Sequence, residues 1–342
     1  MRAGEPLLQV EDLRAYFYTR RGVVKAVDGV SFTLSEGETL GIVGESGSGK
    51  TITSLCLMRL VPQPAGKIVG GKILFEGKDL LQLSEAEMRE YRGSKISMIL
   101  QDPMASLNPV YTVGEQVAEP LRQHQHLAGK KLWDQVTEAL RLLRIPSPRE
   151  RLNNYPHQMS GGMRQRVVGG IAISCRPKII IADEPTTALD ATIQAQYLAH
   201  LKDLQRETHV SMIFVSHDMG AVARVCDRVA VMYAGKIVET ATVRELFNNP
   251  KHPYTIGLVN SVPRLDRKIQ RLASIEGQPP ALLNLPPGCR FAPRCFAAID
   301  RCRTEEPPRV EVGPDHYASC WRTEVASQMV EDGVAMRPTV AQ

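Results

Sequence analysis

The chain opens with alternation. Over residues 7–34 apolar and polar positions take turns, with Val30, Phe32 and Leu34 on one face, a pattern that predicts antiparallel strands. A five-residue apolar run, Thr39 to Val43, then predicts a buried strand, and from Ile52 to Leu60 the apolar spacing becomes helical. Lys72–Phe75 and Ile96–Leu100 predict short strands, the second ending at Gln101. From about 102 to 158 the texture is helical, with Leu132, Val136, Leu140 and Leu143 on one face. Pro120 is expected to break or kink the first of these helices and Pro146 and Pro148 to close the second, which predicts a helical insertion. Gly169 and Gly170 lie inside a further helical stretch, where each costs about 1 kcal/mol relative to alanine, and the sequence offers no role for them.

Beyond the insertion, Lys178–Asp183, Ser211–Val215 and Val229–Tyr233 predict buried strands. Residues 192–206 predict an amphipathic helix through Ile193, Tyr197, Leu201 and Leu204. Of 23 prolines, 12 fall after residue 245, so that part is expected to be loop-rich and not a continuation of the sheet. The end of the chain carries no pattern and is expected to be mobile. The whole predicts an α/β fold: a phosphate-loop core with an antiparallel β subdomain and a helical insertion (residues 1–245, insertion about 102–165). A loop-rich extension (246–325) and a tail (326–342) follow.

Composition adds limits. A net charge of +5 over 342 residues is too diffuse to call for a nucleic-acid partner. No apolar run approaches the ~20 residues that cross a bilayer, and the first residues lack a signal-peptide core, which predicts a cytoplasmic chain. Its seven cysteines are then expected to be reduced or metal-bound.

The stretch GESGSGKT (Gly44, Glu45, Ser46, Gly47, Ser48, Gly49, Lys50, Thr51) sits where the apolar strand gives way to the helix. There, backbone N–H groups freed by glycine, with the helix terminus behind them, cradle phosphate oxygens. Lys50 is expected to bridge the β- and γ-phosphates and Thr51 to hold Mg²⁺. Asp183 and Glu184 emerge from the carboxyl end of a buried strand, where open α/β sheets bind ligands.

Five motifs in order, GESGSGKT at 44–51, Gln101, MSGGMRQR at 159–166, IIIADEPTTALD at 179–190 and VSHD at 215–218, make the chain resemble the ATP-binding subunits of ABC transporters. The resemblance implies ATP and Mg²⁺ as ligands, with Mg²⁺ held by Thr51, Gln101 and, through water, Asp183. It implies Glu184 as the base toward water, His217 at the γ-phosphate, and Phe17 stacked on adenine, with Tyr16 or Tyr18 as alternatives. Ser160, Gly161 and Gly162 would contact the γ-phosphate bound by a second subunit, and Asp190 would lie at that interface. Met159 and Met163 depart from the commoner leucine and glutamine. A soluble DNA-repair or translation ATPase of the same class usually carries two cassettes or long coiled coils, which this chain lacks. A phosphate-loop kinase has no use for Ser-Gly-Gly.

The segments at 248–266 and 274–295 further resemble oligopeptide/dipeptide importers. That implies an unlike sister ATPase, two membrane permeases, an extracytoplasmic peptide-binding protein, and a place on the cytoplasmic face of the membrane. Cys289, Cys295, Cys302 and Cys320 are separated by five, six and seventeen residues, not the close pairing of structural zinc. The resemblance implies a [4Fe–4S] cluster, as in some relatives, with zinc or free thiols as alternatives and His316 as a substitute ligand. Cys56, Cys175 and Cys226 read as packing residues.

Overall fold

The structure is a computed structural model, which describes residues 5–101, 106–187, 189–262 and 275–324. Its strands in chain order are β1 (Leu8–Thr19), β2 (Gly22–Leu34), β3 (Thr39–Val43), β4 (Gly66–Phe75), β5 (Lys78–Asp79), β6 (Ile96–Ile99), β7 (Ile179–Asp183), β8 (Ser211–Ser216), β9 (Arg228–Tyr233), β10 (Lys236–Thr242), β11 (Val310–Gly313) and β12 (His316–Ala318).

The first four-stranded sheet runs β2-β1-β4-β5 and is antiparallel throughout. Its inner face is the alternation read from the sequence: Val30, Phe32 and Leu34 are buried, opposite Val10 and Leu8. In β1 the parity changes between Val10 and Leu13, where the register shifts and Asp12 adopts φ +45°. This bulge lets Val10 and Leu13, three residues apart, both face the core.

The second sheet runs β11-β12-β10-β9-β3-β8-β7-β6, with β3, β6, β7, β8 and β9 mutually parallel. Every residue of β3 and β7 is buried, as expected of strands covered on both faces, which is why they read as unbroken apolar runs. The carboxyl ends of β3, β7 and β8 therefore lie side by side and deliver Gly44, Glu184 and His217 to one rim.

Two expectations are corrected here. The helix Val113–Gln125 is not broken at Pro120; its buried face of Val113, Val117, Ala118 and Leu121, and the Thr112 cap that accepts from the Glu115 N–H, hold it despite the missing donor. The extension does continue the sheet. β12 pairs with β10 through Glu239↔Ala318 and Thr240↔Tyr317, and β11 pairs with β12, closing an edge that would otherwise stand open. Strands of three and four residues are too short for periodicity to announce them. The tail beyond residue 324 lies outside the described residues.

Gly169 and Gly170 acquire a reason. They lie on the helix Gly161–Ile173, where a Cβ would stand 2.9 Å from Leu143 at the first and 3.3 Å from Leu140 at the second. They let this helix press against Gly129–Leu142, whose Leu132, Val136 and Leu140 form the insertion's core.

Candidate nucleotide site

The phosphate loop is shaped by backbone contact. Gly44 and Gly49 have positive φ (+156° and +105°), and a Cβ on them would stand 2.1 Å from the Met232 carbonyl and 2.3 Å from the Ala26 carbonyl. No other residue type fits either position. Ser46 and Gly47 form the exposed tip, and Ser48 is buried. The helix Lys50–Leu57 starts at Lys50, two residues earlier than the apolar spacing indicated, so its N-terminus meets the loop directly. Lys50 is 5% exposed, and its Nζ donates to the carbonyls of Gly44 (2.8 Å) and Glu45 (3.0 Å). Burial pulls its pKa down, against the pull of Glu184, Asp183 and Glu45. A poorly solvated ammonium held only by two carbonyls is primed for a stronger anionic partner.

Asp183 and Glu184 are adjacent but serve different surroundings. Asp183 ends β7 at 2% exposure, and burial, then the neighbouring Glu184 charge, pushes its pKa up; Thr51 and Lys50 oppose that. The Thr51 hydroxyl lies 3.3 Å from its Oδ1. Glu184 turns away through a left-handed backbone, φ +46°, a conformation that costs a non-glycine residue roughly 1 kcal/mol. Its N–H donates to the Val215 carbonyl at 2.9 Å, anchoring the turn on β8. Its carboxylate then accepts from Gln101 Nε2 (2.9 Å) and from the Thr187 hydroxyl (3.1 Å), with His217 Nδ1 at 3.3 Å. Gln101 thus meets Glu184, while Thr51 meets Asp183. Thr187 was not singled out from sequence, although its place three residues after Glu184 on the same turn was a usable signal. Oxygen donors from Thr51, Gln101 and Asp183 have the hardness Mg²⁺ selects. Among the described residues no three His, Cys, Asp or Glu side chains are grouped to hold a metal by themselves.

The signature segment faces outward. Ser160 caps its helix by accepting from the Met163 N–H (3.3 Å), and both Ser160 and Gly161 are exposed. A Cβ on Gly162 would stand 2.9 Å from Ile193, so this helix start abuts the next, capped by Asp190, which accepts from the N–H groups of Thr192 and Ile193. Met159 is 4% exposed in the insertion's core, with Met163 packed against it, so the two departures from the common signature serve as filling.

The three aromatics of β1 are separated by their surroundings. Phe17 packs against the core cluster, Tyr16 donates to Asp28 Oδ1 at 2.6 Å, and Tyr18 is 49% exposed beside Lys67.

Two residues of the extension reach the phosphate loop, and sequence reasoning missed both. The Glu45 N–H donates to the Tyr254 hydroxyl at 2.8 Å. Arg294 grips the Glu45 carboxylate with both terminal nitrogens, at 2.6 and 3.0 Å. The partners stand 209 and 249 residues apart, beyond any local pattern.

Cys289, Cys295, Cys302 and Cys320 all line one small cavity, together with His252 and Phe291. Burial pushes the Cys295 thiol up to about 12 and Cys320 to about 11, and raises Cys289 as well. Four thiols around one space suit a soft metal or cluster, though they face the cavity without forming a metal-holding group. His316 does not line this cavity, and its Nε2 lies 2.7 Å from Glu239 in a fully buried pair. His252 takes its place at the cavity wall. Cys56, Cys175 and Cys226 are buried singly, as packing residues.

Comparison with known proteins agrees with this geometry. Residues 27–187 match the ABC transporter family model, and residues 238–302 match the oligopeptide/dipeptide transporter C-terminal region. The chain is 52% identical over 317 residues to the dipeptide transport ATP-binding protein DppD of Bacillus subtilis, covering 93% of this chain and 95% of that one. It is 51% identical over 332 residues to the oligopeptide transport ATP-binding protein OppD of the same organism, covering 97% and 93%. Among solved structures it resembles a dimeric ATP-binding cassette in a post-hydrolysis state bound to ADP and Pi, with TM-score 0.61, 25% identity, and coverage of 69% of this chain and 99% of that one.

Proposed function

This chain belongs to the ABC transporter ATP-binding subunits, in the oligopeptide/dipeptide group, and from that membership we propose that it hydrolyses ATP to drive peptide import across a membrane. The observation that carries the reading is the Glu184 carboxylate, gathered by Gln101, Thr187 and His217 beside the separate Asp183–Thr51 pair.

Hydrolysis requires a water oxygen to attack the γ-phosphorus while the bond to the β-phosphate oxygen breaks. Glu184 orients that water and takes its proton, and His217 stands beside it to contact the γ-phosphate. Lys50 exchanges its two carbonyl partners for phosphate oxygens. Thr51, Gln101 and, through water, Asp183 would hold Mg²⁺, which would supply charge neutralisation at the phosphates. Phe17 serves as the adenine platform, the position the family resemblance favours over Tyr16 and Tyr18.

Ser160, Gly161, Gly162 and Asp190 act across an interface, closing over the nucleotide of a second, unlike ATPase subunit. Two membrane permeases and an extracytoplasmic peptide-binding protein complete the assembly, with this chain at the cytoplasmic face of the membrane. No helix among the described residues is long and apolar enough to cross a membrane, which fits a subunit attached through permeases. Residues 1–245 form the ATPase cassette, 246–325 the extension and 326–342 a tail. The cysteine quartet is proposed as the seat of a [4Fe–4S] cluster; the four thiols on one cavity support this, and iron content after anaerobic purification decides it.

The test of the main reading pairs transport with turnover. Cells lacking this chain should lose uptake of labelled dipeptide, and wild type should restore it. Glu184→Gln should not, with ATP still bound and turnover lowered by about 10²-fold or more, the usual scale for a lost general base. Full turnover in the variant would reject Glu184 as the base; uptake untouched by deletion would reject peptide import.

A further inference from the structure

We infer that Arg294, from the cysteine-bearing extension, is a positioning residue for ATP binding, and that it acts through Glu45 of the phosphate loop. Glu45 is held at three points. Its N–H donates to Tyr254, its carbonyl accepts from Lys50 Nζ at 3.0 Å, and its carboxylate is clasped by Arg294. Two of these holds come from the extension, and the carbonyl is shared by the Ser48 N–H (3.2 Å) and the lysine that must reach the phosphates.

The guanidinium is fully engaged. Beyond the fork on Glu45, Nε donates to the Glu276 carbonyl (2.9 Å), Nη2 to the Ile275 carbonyl (3.2 Å) and Nη1 to the Tyr233 hydroxyl (3.3 Å). The Arg294 side chain is 5% exposed. Burial alone would lower its pKa, but the Glu45 and Tyr233 hydrogen bonds outweigh that and raise it. The turn that carries it is itself locked in place. Phe291 packs against Tyr233, Tyr254 and His252, and Arg290 pairs with Asp28. Cys289 and Cys295 bracket this turn at the wall of the thiol cavity.

The consequence is electrostatic. Glu45 sets a carboxylate into a loop that must receive a triphosphate, and Arg294 is the cation paired with it. Without Arg294 the uncompensated charge repels the nucleotide, and the Glu45 carbonyl that steadies Lys50 loses one of its restraints. Binding should suffer more than chemistry, because the group acts on the loop and touches no reacting atom.

The inference rests on ATP binding at residues 44–51, so the experiment first measures ATP affinity of the wild-type complex. In Arg294→Gln the KM for ATP should rise about tenfold, the scale of one unscreened charge near the site, with kcat changed less than about twofold. Adding Glu45→Gln should bring KM back to within about threefold of wild type, because removing the orphaned carboxylate removes the repulsion. Were Arg294→Gln to misfold, Arg294→Lys serves: it keeps the charge, loses the fork, and should raise KM about threefold. An unchanged KM in Arg294→Gln or Arg294→Lys, a loss confined to kcat, or a defect that Glu45→Gln deepens would overturn the inference. Absence of ATP binding by the wild type would instead overturn the functional reading.

Discussion

The phosphate-loop side and the signature side of this molecule are finished to different degrees. On the first, Lys50, Asp183 and Glu184 all have partners within the chain, drawn from the loop and helix after β3 and from the segments after β6 and β8. On the second, Ser160 and Asp190 cap their own helices, and Ser160, Gly161 and Asp190 are exposed. Both sides are helix starts suited to anions, but only the first is backed by buried charge. A single chain therefore builds a grip and, elsewhere, a cover. On the proposed reading, the cover works on another molecule's nucleotide.

The sharpest way to break this comparison is Ser160→Arg. In a mixed complex with the sister subunit, turnover should fall on the order of tenfold or more, because the bulk and charge occupy the partner's phosphate site, while ATP binding to this chain's own loop stays intact. Wild-type turnover in that complex would show that the two sides never meet across an interface.

A smaller effect separates the backed side from its own stability. Asp183 has its pKa raised in the folded protein. A raised group favours the folded state below its unfolded value and withdraws that support as pH rises through the folded value, so at pH 7 its charge is a cost. Asp183→Asn should raise the melting temperature of nucleotide-free protein at pH 7 by about 2 °C, roughly 1 kcal/mol in a protein of this size. A lower melting temperature would mean that Thr51 and Lys50 already compensate the carboxylate.

The smallest effect concerns the extension that braces the grip. Burial pulls the His252 pKa down to about 4, against the charge of Glu239. Such a group contributes stability that is present above its unfolded value of about 6.5 and is lost as pH falls toward about 4. Wild type should therefore lose melting temperature between pH 7 and pH 5 more steeply than His252→Gln, by a few degrees. Parallel slopes would remove His252 as the acid-sensitive group.

The site's main parts were legible because each rests on a local rule. An unbroken apolar run marks a strand covered on both faces, so β3 and β7 announced where Gly44, Asp183 and Glu184 would emerge. Gly169 and Gly170 gave no such signal, since their reason is the approach of Leu143 and Leu140 from another helix. Thr187 lay within reach of the same local logic, three residues after Glu184 on one turn.

From the order of residues alone came the phosphate loop and the emergence of Asp183 and Glu184 from a strand end, set by contacts a few residues apart. The separate roles of the two carboxylates and of Ser-Gly-Gly were implied by the family resemblance. Only the folded molecule brought Tyr254 and Arg294 onto Glu45, set His252 at the thiol cavity in place of His316, and laid β12 along β10. Periodicity reports which face a residue turns inward, not which residue some 250 positions away will be waiting there. That choice belongs to the packing of the extension against the sheet.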